Sequence, residues 1–495
     1  MQRAFLRLIS ALALTWVCSL PAPSSAQTPA DDAANTAWQA GMILHMQRMR
    51  AFHDVNTGTQ STPPVIGKNT TDADSSGTIS TYQPNGSTPT SNPFFQNLGT
   101  NERTCFTCHQ PQTGWTVSAQ SVQDRFNASS GDDPIFRLVD GATCPTDDVS
   151  SVDKKLQAYS LLLSKGLIRI GLPIPANAEF QISVVNDPYN CNTNPATGLP
   201  SPTPIVSIYR RPLPSTNLGF LSTIMWDGRE PNLSSQAVDA TLGHAQANAA
   251  PSASQQQQIV KFESGLFTAQ SFDNAAQALD ANGATGGPVD LQGELASFFI
   301  GINDPLGLNP TGAPFNPNIF DLFQAWSSLP GNTAVNIDRL SVARGETLFN
   351  TTKINITGVG GLNDALQTKS ISGFCGTCHD TPNVGNHSVK APLNIGIADA
   401  RPPALDVSDL PLFKLSCGGQ PVVVTDPGRA LISGKCADVG KFKGPILRGL
   451  ASRAPYFHNG SAATLLDVVN FYDQRFKIGF TQQQKQDLVN FLNTL

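Results

Sequence analysis

Two short segments of this sequence combine a pair of thiols with an imidazole at fixed spacing. Residues 104–110 read TCFTCHQ and residues 374–380 read FCGTCHD, so each contains Cys-x-x-Cys-His. Because residues i and i+3 lie on one side of a helical turn, both thiols of a unit can reach the same ligand. This pattern is the attachment sequence for c-type haem, with the histidine as iron ligand. We therefore predict two covalently bound haem c groups, held by Cys105, Cys108 and His109 and by Cys375, Cys378 and His379.

Two other uses of paired cysteines fit the sequence less well. Structural zinc requires two Cys-x-x-Cys pairs joined into one four-ligand site, and no second pair lies near either unit. A thioredoxin-like redox motif is expected in a βαβ setting. Two complete copies therefore favour covalent haem, which would let one chain store two oxidising equivalents or relay electrons between two sites.

The N-terminus predicts export. Arg3 and Arg7 precede the apolar segment LISALALTWVCSL, which is too short for a membrane-spanning helix, and small residues end at Ala26. Bulky residues before Cys18 argue against lipoprotein cleavage. We predict a signal peptide over residues 1–26, cleavage near Ala26, a periplasmic location and no membrane span.

Composition and charge narrow the class of protein. The chain has 495 residues, 40% of them hydrophobic and 14% charged, with a net charge of −5. This is typical of globular proteins and is long enough for two or three domains. No basic tract indicates a nucleic-acid partner. The acidity weakly favours a basic partner, and an ordinary solvated surface is the simpler explanation.

Four cysteines lie outside the signal segment and the two thiol–imidazole units. An oxidising periplasm permits disulfides. Proximity along the chain suggests the pairs Cys144–Cys191 and Cys417–Cys436, although the sequence alone does not fix the connectivity.

The pattern of helical segments and turn formers predicts a mainly α fold with minor β structure. We expect an N-terminal helix and irregular loop over residues 27–94, a first haem domain with insertions over 95–336, and a second haem domain over 337–495. Capping boxes at Thr464–Asp467 and Thr481–Gln484 predict the starts of the last two helices.

Smaller segments give local predictions. FQISVV and PIVSIY are plausible strands that could form a small hairpin, and residues 255–267 and 337–350 have helical spacing. DADSSGT at 72–78 resembles the start of a calcium loop, but Gln83 stands where that loop has its final glutamate.

The order of motifs resembles the bacterial dihaem cytochrome c peroxidases and the related MauG-type proteins over roughly residues 95–495. The shared segments are CFTCHQ, MWDGREPNLSSQ, ARGETLF, CGTCHD and LRGLASRAPYFHNGSAATLLDVVNFY. The resemblance implies two cytochrome-c-like domains, with hydrogen peroxide meeting the N-terminal haem and electrons passing through or stored at the C-terminal haem. The implied partners are a small redox donor protein or an oxidisable partner protein.

The resemblance also implies roles for two aromatic residues. Trp226 occupies the position of a tryptophan between the two haems, where an indole can relay electrons; a large core residue is the alternative. Tyr472 occupies the position of the sixth iron ligand, which is methionine in the peroxidases and tyrosine in MauG-type proteins. No methionine follows the second haem unit. A buried, hydrogen-bonded tyrosine is the alternative, and His458 and His387 are other local candidates.

The proton-transfer residues depart from the family pattern. Cleavage of a peroxide O–O bond needs a group that moves a proton between the two oxygens. The resemblance assigns this to a glutamine, matched by Gln236, and a glutamate ten residues later, where this chain has Gln246. An amide cannot exchange protons at a useful rate. His244 could replace the glutamate, bind the N-terminal iron, or lie unused on the surface.

The departures keep other functions open. Related dihaem rubber oxygenases activate dioxygen without that proton carrier, and a non-catalytic electron-transfer cytochrome c is a further alternative. Calcium is doubtful, because Arg453 replaces the threonine implied by the resemblance and Arg210 and Arg211 lie near the other implied ligand. These arginines could pair with haem propionates instead.

Overall fold

The computed structural model of the protein describes residues 65–495. The predicted signal peptide and the predicted N-terminal helix lie outside these residues. Within them, no helix has both the length and the apolar character that crossing a membrane requires. The helices and strands are therefore given for 65–495 alone.

Ten α-helices occur in this range. They are α1 (Ala119–Ser129), α2 (Val152–Ala158), α3 (Ser160–Lys165), α4 (Leu233–Gly243), α5 (Ala253–Ser264), α6 (Pro288–Glu294), α7 (Ala334–Thr351), α8 (Ala430–Ser433), α9 (Leu465–Phe476) and α10 (Gln482–Asn493). The helix predicted over 255–267 is confirmed by α5 and that over 337–350 by α7. The capping boxes at Thr464 and Thr481 are confirmed as the starts of α9 and α10.

Thirteen strands occur in the same range. They are β1 (Val65–Ile66), β2 (Asn69–Ala73), β3 (Gly77–Tyr82), β4 (Thr88–Pro89), β5 (Ile168–Pro173), β6 (Gln181–Asn186), β7 (Ile205–Arg210), β8 (Phe267–Asp273), β9 (Gln277–Ala278), β10 (Ile354–Thr357), β11 (Ser370–Gly373), β12 (Leu412–Ser416) and β13 (Val422–Val424). They form five sheets, ordered β1-β4, β2-β3-β8-β9, β5-β7, β13-β12-β6 and β10-β11.

The strand content corrects the expectation of a mainly α fold with minor β structure. Of the described residues, 29% are helical and 16% lie in strands, so the fold is mixed. The segment predicted as an irregular loop contains β2 and β3, and β3 pairs with the distant β8. Its polar composition resembles a loop because much of this sheet lies near the surface, where alternate side chains are exposed. The division into two domains stays a prediction.

The predicted hairpin is wrong, although both of its strands exist. β6 pairs with β12, whereas β7 pairs with β5. β6 alternates between exposed and partly buried residues, and β7 is almost entirely buried. The two strands therefore belong to different sheets, which adjacency in the sequence does not reveal.

Two further local predictions have clear outcomes. The disulfides Cys144–Cys191 and Cys417–Cys436 are both present. The calcium-like segment at 72–78 is the β2–β3 turn, in which Asp74 Oδ1 accepts N–H groups from Ser76 and Gly77. Asp74 therefore stabilises a tight turn, and this role accounts for the resemblance of the segment to a calcium loop.

The C-terminal core lies between α7, α9 and α10. It includes Phe320, Phe323, Trp326 and Phe491, all at most 1% exposed. α7 approaches α10 so closely that a Cβ at Gly345 would lie 2.0 Å from the carbonyl oxygen of Asp487. Glycine at this position therefore allows α7 and α10 to pack directly against each other.

A carboxyl group in this core makes stability depend on pH. Glu346 is 4% exposed, and its Oε2 accepts the N–H of Phe323 at 2.8 Å. Burial raises the pKa of Glu346 to about 7. Since the unfolded chain loses this proton near pH 4.3, the folded state is most favoured below that pH and loses stability as pH rises to about 7.

We expect Glu346→Gln to stabilise the protein by about 3 kcal/mol at pH 8 and to change little at pH 4. Glutamine keeps an acceptor oxygen without a buried charge. Chemical denaturation at both pH values measures this, with Glu102→Gln, whose side chain is 75% exposed, as a control. Equal stabilisation at both pH values would show that ionisation of Glu346 is not the cause.

Candidate functional site

The two thiol–imidazole units have the same local structure. Each pair of cysteines is part of a short 3₁₀ turn, Cys105–Thr107 or Cys375–Thr377, closed by the next cysteine. In both, a threonine hydroxyl accepts the N–H of the residue before the turn at 2.9 Å. None of the four thiols forms a disulfide with another cysteine of residues 65–495. The predicted helical turn is confirmed, and all four thiols remain available for thioether bonds.

The histidines of the two units are held in the same way. His109 Nδ1 donates to the carbonyl oxygen of Trp115 at 2.8 Å, and His379 Nδ1 donates to that of Gly385 at 2.6 Å. Burial lowers the pKa of His109 to about 4 and also lowers that of His379. Both imidazoles are therefore neutral, with Nε2 left as the free nitrogen, which is the form that binds iron.

Each unit opens into its own cavity. The first cavity is lined by residues of the first unit together with several candidates from the sequence: Cys105, Cys108, His109, Trp226, Gln236 and His244. The second is lined by Cys375, Cys378, His379, Trp226, His458 and Tyr472. The predicted site residues are thus divided between two cavities, and Trp226 belongs to both.

The wall between the cavities carries Trp226 and three cations, two of them buried and one partly buried. Arg211, Lys443 and Arg453 also line both cavities. Trp226 Nε1 donates to the carbonyl oxygen of Arg211 at 2.8 Å, and the N–H of Lys443 donates to the carbonyl oxygen of Trp226 at 2.9 Å. The Arg211 carbonyl therefore holds the indole of Trp226, and the Lys443 N–H holds its backbone.

These three cations test whether haem fits the site. Arg211 and Arg453 donate to backbone carbonyl oxygens, and so does Lys443. Among residues 65–495 none of the three has a carboxylate partner. Burial lowers the pKa of Lys443 to about 7, that of Arg211 to about 9 and that of Arg453 to about 10. Buried cations without anions are costly, and propionate groups beside them would offset that cost. The residues present fit haem.

Arg210 has a different role from Arg211. Its guanidinium pairs with Asp426 at 2.7 Å and with Asp227, and all three side chains are at most 2% exposed. The prediction that Arg210 could pair with a propionate does not hold, because its charge is already matched by two carboxylates. For Arg211 and Arg453 that prediction remains open. Asp227 follows Trp226 directly in sequence, so the network also anchors the shared wall.

His244 lies at the edge of the first cavity and is paired with a carboxylate. Its Nδ1 lies 2.5 Å from Asp140 Oδ2, and its side chain is 40% exposed. Although burial disfavours the carboxylate, the charge of Arg103 and the hydrogen bond with His244 lower the pKa of Asp140. Asp140 therefore stays ionised and orients the imidazole, with Nε2 left free. A surface histidine without a role would not need such a partner.

The two glutamines of the family pattern lie in different surroundings. Gln236 is on α4 and lines the first cavity. Gln246 is exposed beyond the end of that helix, where its amide oxygen is 3.4 Å from Asn101 Nδ2. The position at which the resemblance implies a glutamate therefore does not reach the cavity in this chain.

The sequence interpretation missed an acidic residue, Glu263, which lines the first cavity. It lies on α5, it is 5% exposed, and its Oε2 has no hydrogen-bond partner in the described part of the chain. Burial raises the pKa of Glu263 to about 7, against an opposing hydrogen bond from Ser215. The signal was present in the sequence, because Glu263 shares the apolar helix face of Ile259, Phe262 and Leu266, where a carboxyl is unexpected.

Three candidates for the sixth position of the second iron have different outcomes. Tyr472 lines the second cavity beside Val468 and Val469, and no group in the described chain hydrogen-bonds to its hydroxyl. Burial and the nearby thiols raise the pKa of Tyr472. His458 also lines the cavity, stacked on Phe442 with ring centres 3.8 Å apart. His387 does not line it.

Curated relatives come from several bacteria. A cytochrome-c peroxidase, IdrP2, of Denitromonas iodatirespirans is 35% identical over 145 residues, or 27% of this chain and 38% of the relative. The cytochrome c551 peroxidase of Nitrosomonas europaea is 29% identical over 178 residues, or 33% of this chain and 46% of the relative. The chain thus spans less than half the length of each of these relatives.

The chain was also compared with protein-family models and with solved structures. No family model matches the sequence. A solved MauG-like protein associated with microbial copper homeostasis is similar at 19% identity and a TM-score of 0.30, over 59% of this chain and 74% of that chain. Each of the two cavities is lined by a Cys-x-x-Cys-His unit, the sequence pattern to which c-type haem is attached. The curated relatives confirm the resemblance to the cytochrome-c peroxidases.

Proposed function

We propose that this protein is an exported, periplasmic dihaem peroxidase. Cys105, Cys108 and His109 hold one haem c, and Cys375, Cys378 and His379 hold the other. Hydrogen peroxide reacts in the first cavity, and electrons arrive through the second. The observation that carries this proposal is the wall shared by the two cavities. In it Trp226 lies among three buried or partly buried cations that have no carboxylate partner within residues 65–495.

The chain's own residues supply binding, orientation and charge. When bound, the haem irons supply the redox chemistry of peroxide reduction. Nδ1 of each histidine is held by a backbone carbonyl, which fixes the orientation of the ring and leaves Nε2 toward the metal. Arg211, Lys443 and Arg453 neutralise propionates in a region from which water is largely excluded.

Proton transfer belongs to the first cavity. His244 Nε2 takes a proton from one oxygen of hydrogen peroxide and returns it to the other, while Asp140 holds the ring in place. Gln236, which lines the same cavity, orients peroxide through its amide group in this proposal. His244, paired with Asp140, thus takes the role that the resemblance assigns to a glutamate at position 246.

Electron transfer belongs to the shared wall and the second cavity. Trp226 relays electrons between the haems, because its indole lines both cavities and is more easily oxidised than aliphatic side chains. Tyr472 lines the second cavity and would supply an oxygen ligand to iron held there, and an anionic oxygen ligand would stabilise the oxidised metal. A small redox protein, or an oxidisable residue on a partner protein, supplies the electrons.

A spectroscopic titration of the purified holoprotein tests the proposal. We expect two covalently bound irons per chain, one of them high-spin in the oxidised protein, and a spectral change on adding hydrogen peroxide. Two low-spin haems that ignore peroxide would reduce the function to electron transfer. If peroxide has no effect and dioxygen cleaves a polyisoprenoid, the protein is an oxygenase.

A further inference from the structure

Three buried side chains form a cluster apart from both cavities. Asp304, Asp380 and His387 each offer a ligand atom, and these atoms lie within 4.8 Å of one another. Their exposed fractions are 2%, 0% and 2%. None of the three lines either haem cavity. The proposed peroxidase chemistry therefore does not account for them.

Two atoms of this cluster lack partners although they are buried. Among residues 65–495, Asp304 Oδ1 and His387 Nε2 find no hydrogen-bond partner. The other oxygen of Asp304 accepts the N–H of Leu308 at 2.8 Å. His387 Nδ1 lies 3.3 Å from Asp380 Oδ1, so its proton is directed at that carboxylate and Nε2 carries a lone pair. A free carboxylate oxygen and a free imidazole nitrogen are both metal ligands.

The charge of the cluster is not balanced by the protein. In residues 65–495, neither Asp304 nor Asp380 forms an ion pair with a lysine or arginine; the histidine is the one basic group paired with Asp380. A buried carboxylate is costly without a cation. A divalent cation would supply the missing positive charge.

The surrounding backbone gives the cluster a fixed frame. Ser388 donates to Asp380 through its N–H at 2.6 Å and through its hydroxyl at 2.9 Å. The N–H of Gly301 donates to the carbonyl oxygen of Ser388, and Asn303 Nδ2 donates to that of Asp380. The segment carrying Asp304 is thus held against the loop after the second haem unit before any ion binds.

We propose that Asp304, Asp380 and His387 bind a divalent first-row transition metal ion. Two carboxylates and one imidazole suit Zn²⁺ or Mn²⁺, whereas Ca²⁺ prefers oxygen ligands alone. The bound ion joins the segment at 301–304 to the loop at 380–388. That loop includes Gly385, whose carbonyl oxygen holds His379. The metal would therefore fix the loop that orients the second haem's histidine.

Zinc binding to the chelator-treated holoprotein tests this site. We expect wild type to retain one Zn²⁺ per chain after desalting, beyond its haem iron, and to melt at a higher temperature with zinc than without. Because loss of an outer partner alone costs 10- to 100-fold in metal affinity, Asp304→Asn and His387→Gln should each weaken zinc binding by about 100-fold or more. Elemental analysis and calorimetry measure both quantities.

A matched variant and a second measurement keep the result decisive. Glu346→Gln also removes a buried carboxyl but lies outside the cluster, and it should bind zinc like wild type. X-ray absorption of the zinc-loaded wild type should show imidazole and carboxylate ligands, which settles the matter if the cluster variants do not fold. The proposal would be overturned if wild type retained no zinc or if its zinc ion were bound by water alone. It would also be overturned if Asp304→Asn bound zinc as tightly as wild type.

Discussion

Replacing His244 with alanine should lower peroxide turnover by about 10²- to 10⁴-fold, the usual contribution of a general acid–base group. The reason is the pairing of His244 with Asp140 at the edge of the first cavity, which fixes the imidazole and leaves Nε2 free. Steady-state rates with hydrogen peroxide and a reducing dye measure the loss, and optical spectra report the spin state. Under this proposal the spectra of the oxidised variant should match wild type.

Three variants separate His244 from its alternatives. Asp140→Asn should lower turnover less than His244→Ala, because the imidazole remains but loses its charged partner. Gln246→Glu in the His244→Ala background should restore nothing, since residue 246 is exposed and does not line the cavity. Unchanged turnover in His244→Ala together with a large loss in Glu263→Gln would transfer the role to Glu263. A low-spin to high-spin change in His244→Ala would instead make His244 an iron ligand.

Local chemistry explains which parts of the fold could be predicted from the sequence. The Cys-x-x-Cys-His units fold into matching turns because their cysteines, threonine and histidine interact within a few residues. The same holds for the capping boxes at Thr464 and Thr481, whose partners lie three residues away. Such features depend on neighbours in the chain, and the sequence shows those neighbours directly.

Long-range pairing explains what could not be predicted. β3 meets β8, and β6 meets β12, across long stretches of chain, so no local pattern indicated either contact. The pairing of His244 with Asp140 is of the same kind, since a histidine in one segment and an aspartate in another carry no shared motif. Glu263 was detectable in principle, because a carboxyl on an apolar helix face is a local anomaly.

Replacing Arg210 with methionine should destabilise the protein by about 3–5 kcal/mol, the usual effect of breaking a buried ion pair. Its guanidinium is 2% exposed and bridges Asp227 and Asp426, which are equally buried. Asp227 would keep Arg229 at 2.9 Å, whereas Asp426 would keep only the N–H of Gly428 and a distant His458. Methionine fills much of the volume, so most of the loss reflects the uncompensated carboxylate.

The partners of Arg210 give this prediction an internal check. Adding Asp426→Asn to the Arg210→Met variant removes the unmatched charge and should recover part of the lost stability, as a double-mutant cycle by denaturation of the holoprotein would show. Lys155→Met, which breaks a pair whose Asp132 side chain is 76% exposed, should cost less than about 1 kcal/mol. Equal losses in the buried and exposed pairs would mean that burial of the charge is not decisive. Asp227 follows Trp226 in sequence, and Asp426 lies beside His458. A large loss of stability in Arg210→Met but not in Lys155→Met would therefore show that this buried charge network stabilises the wall between the two cavities.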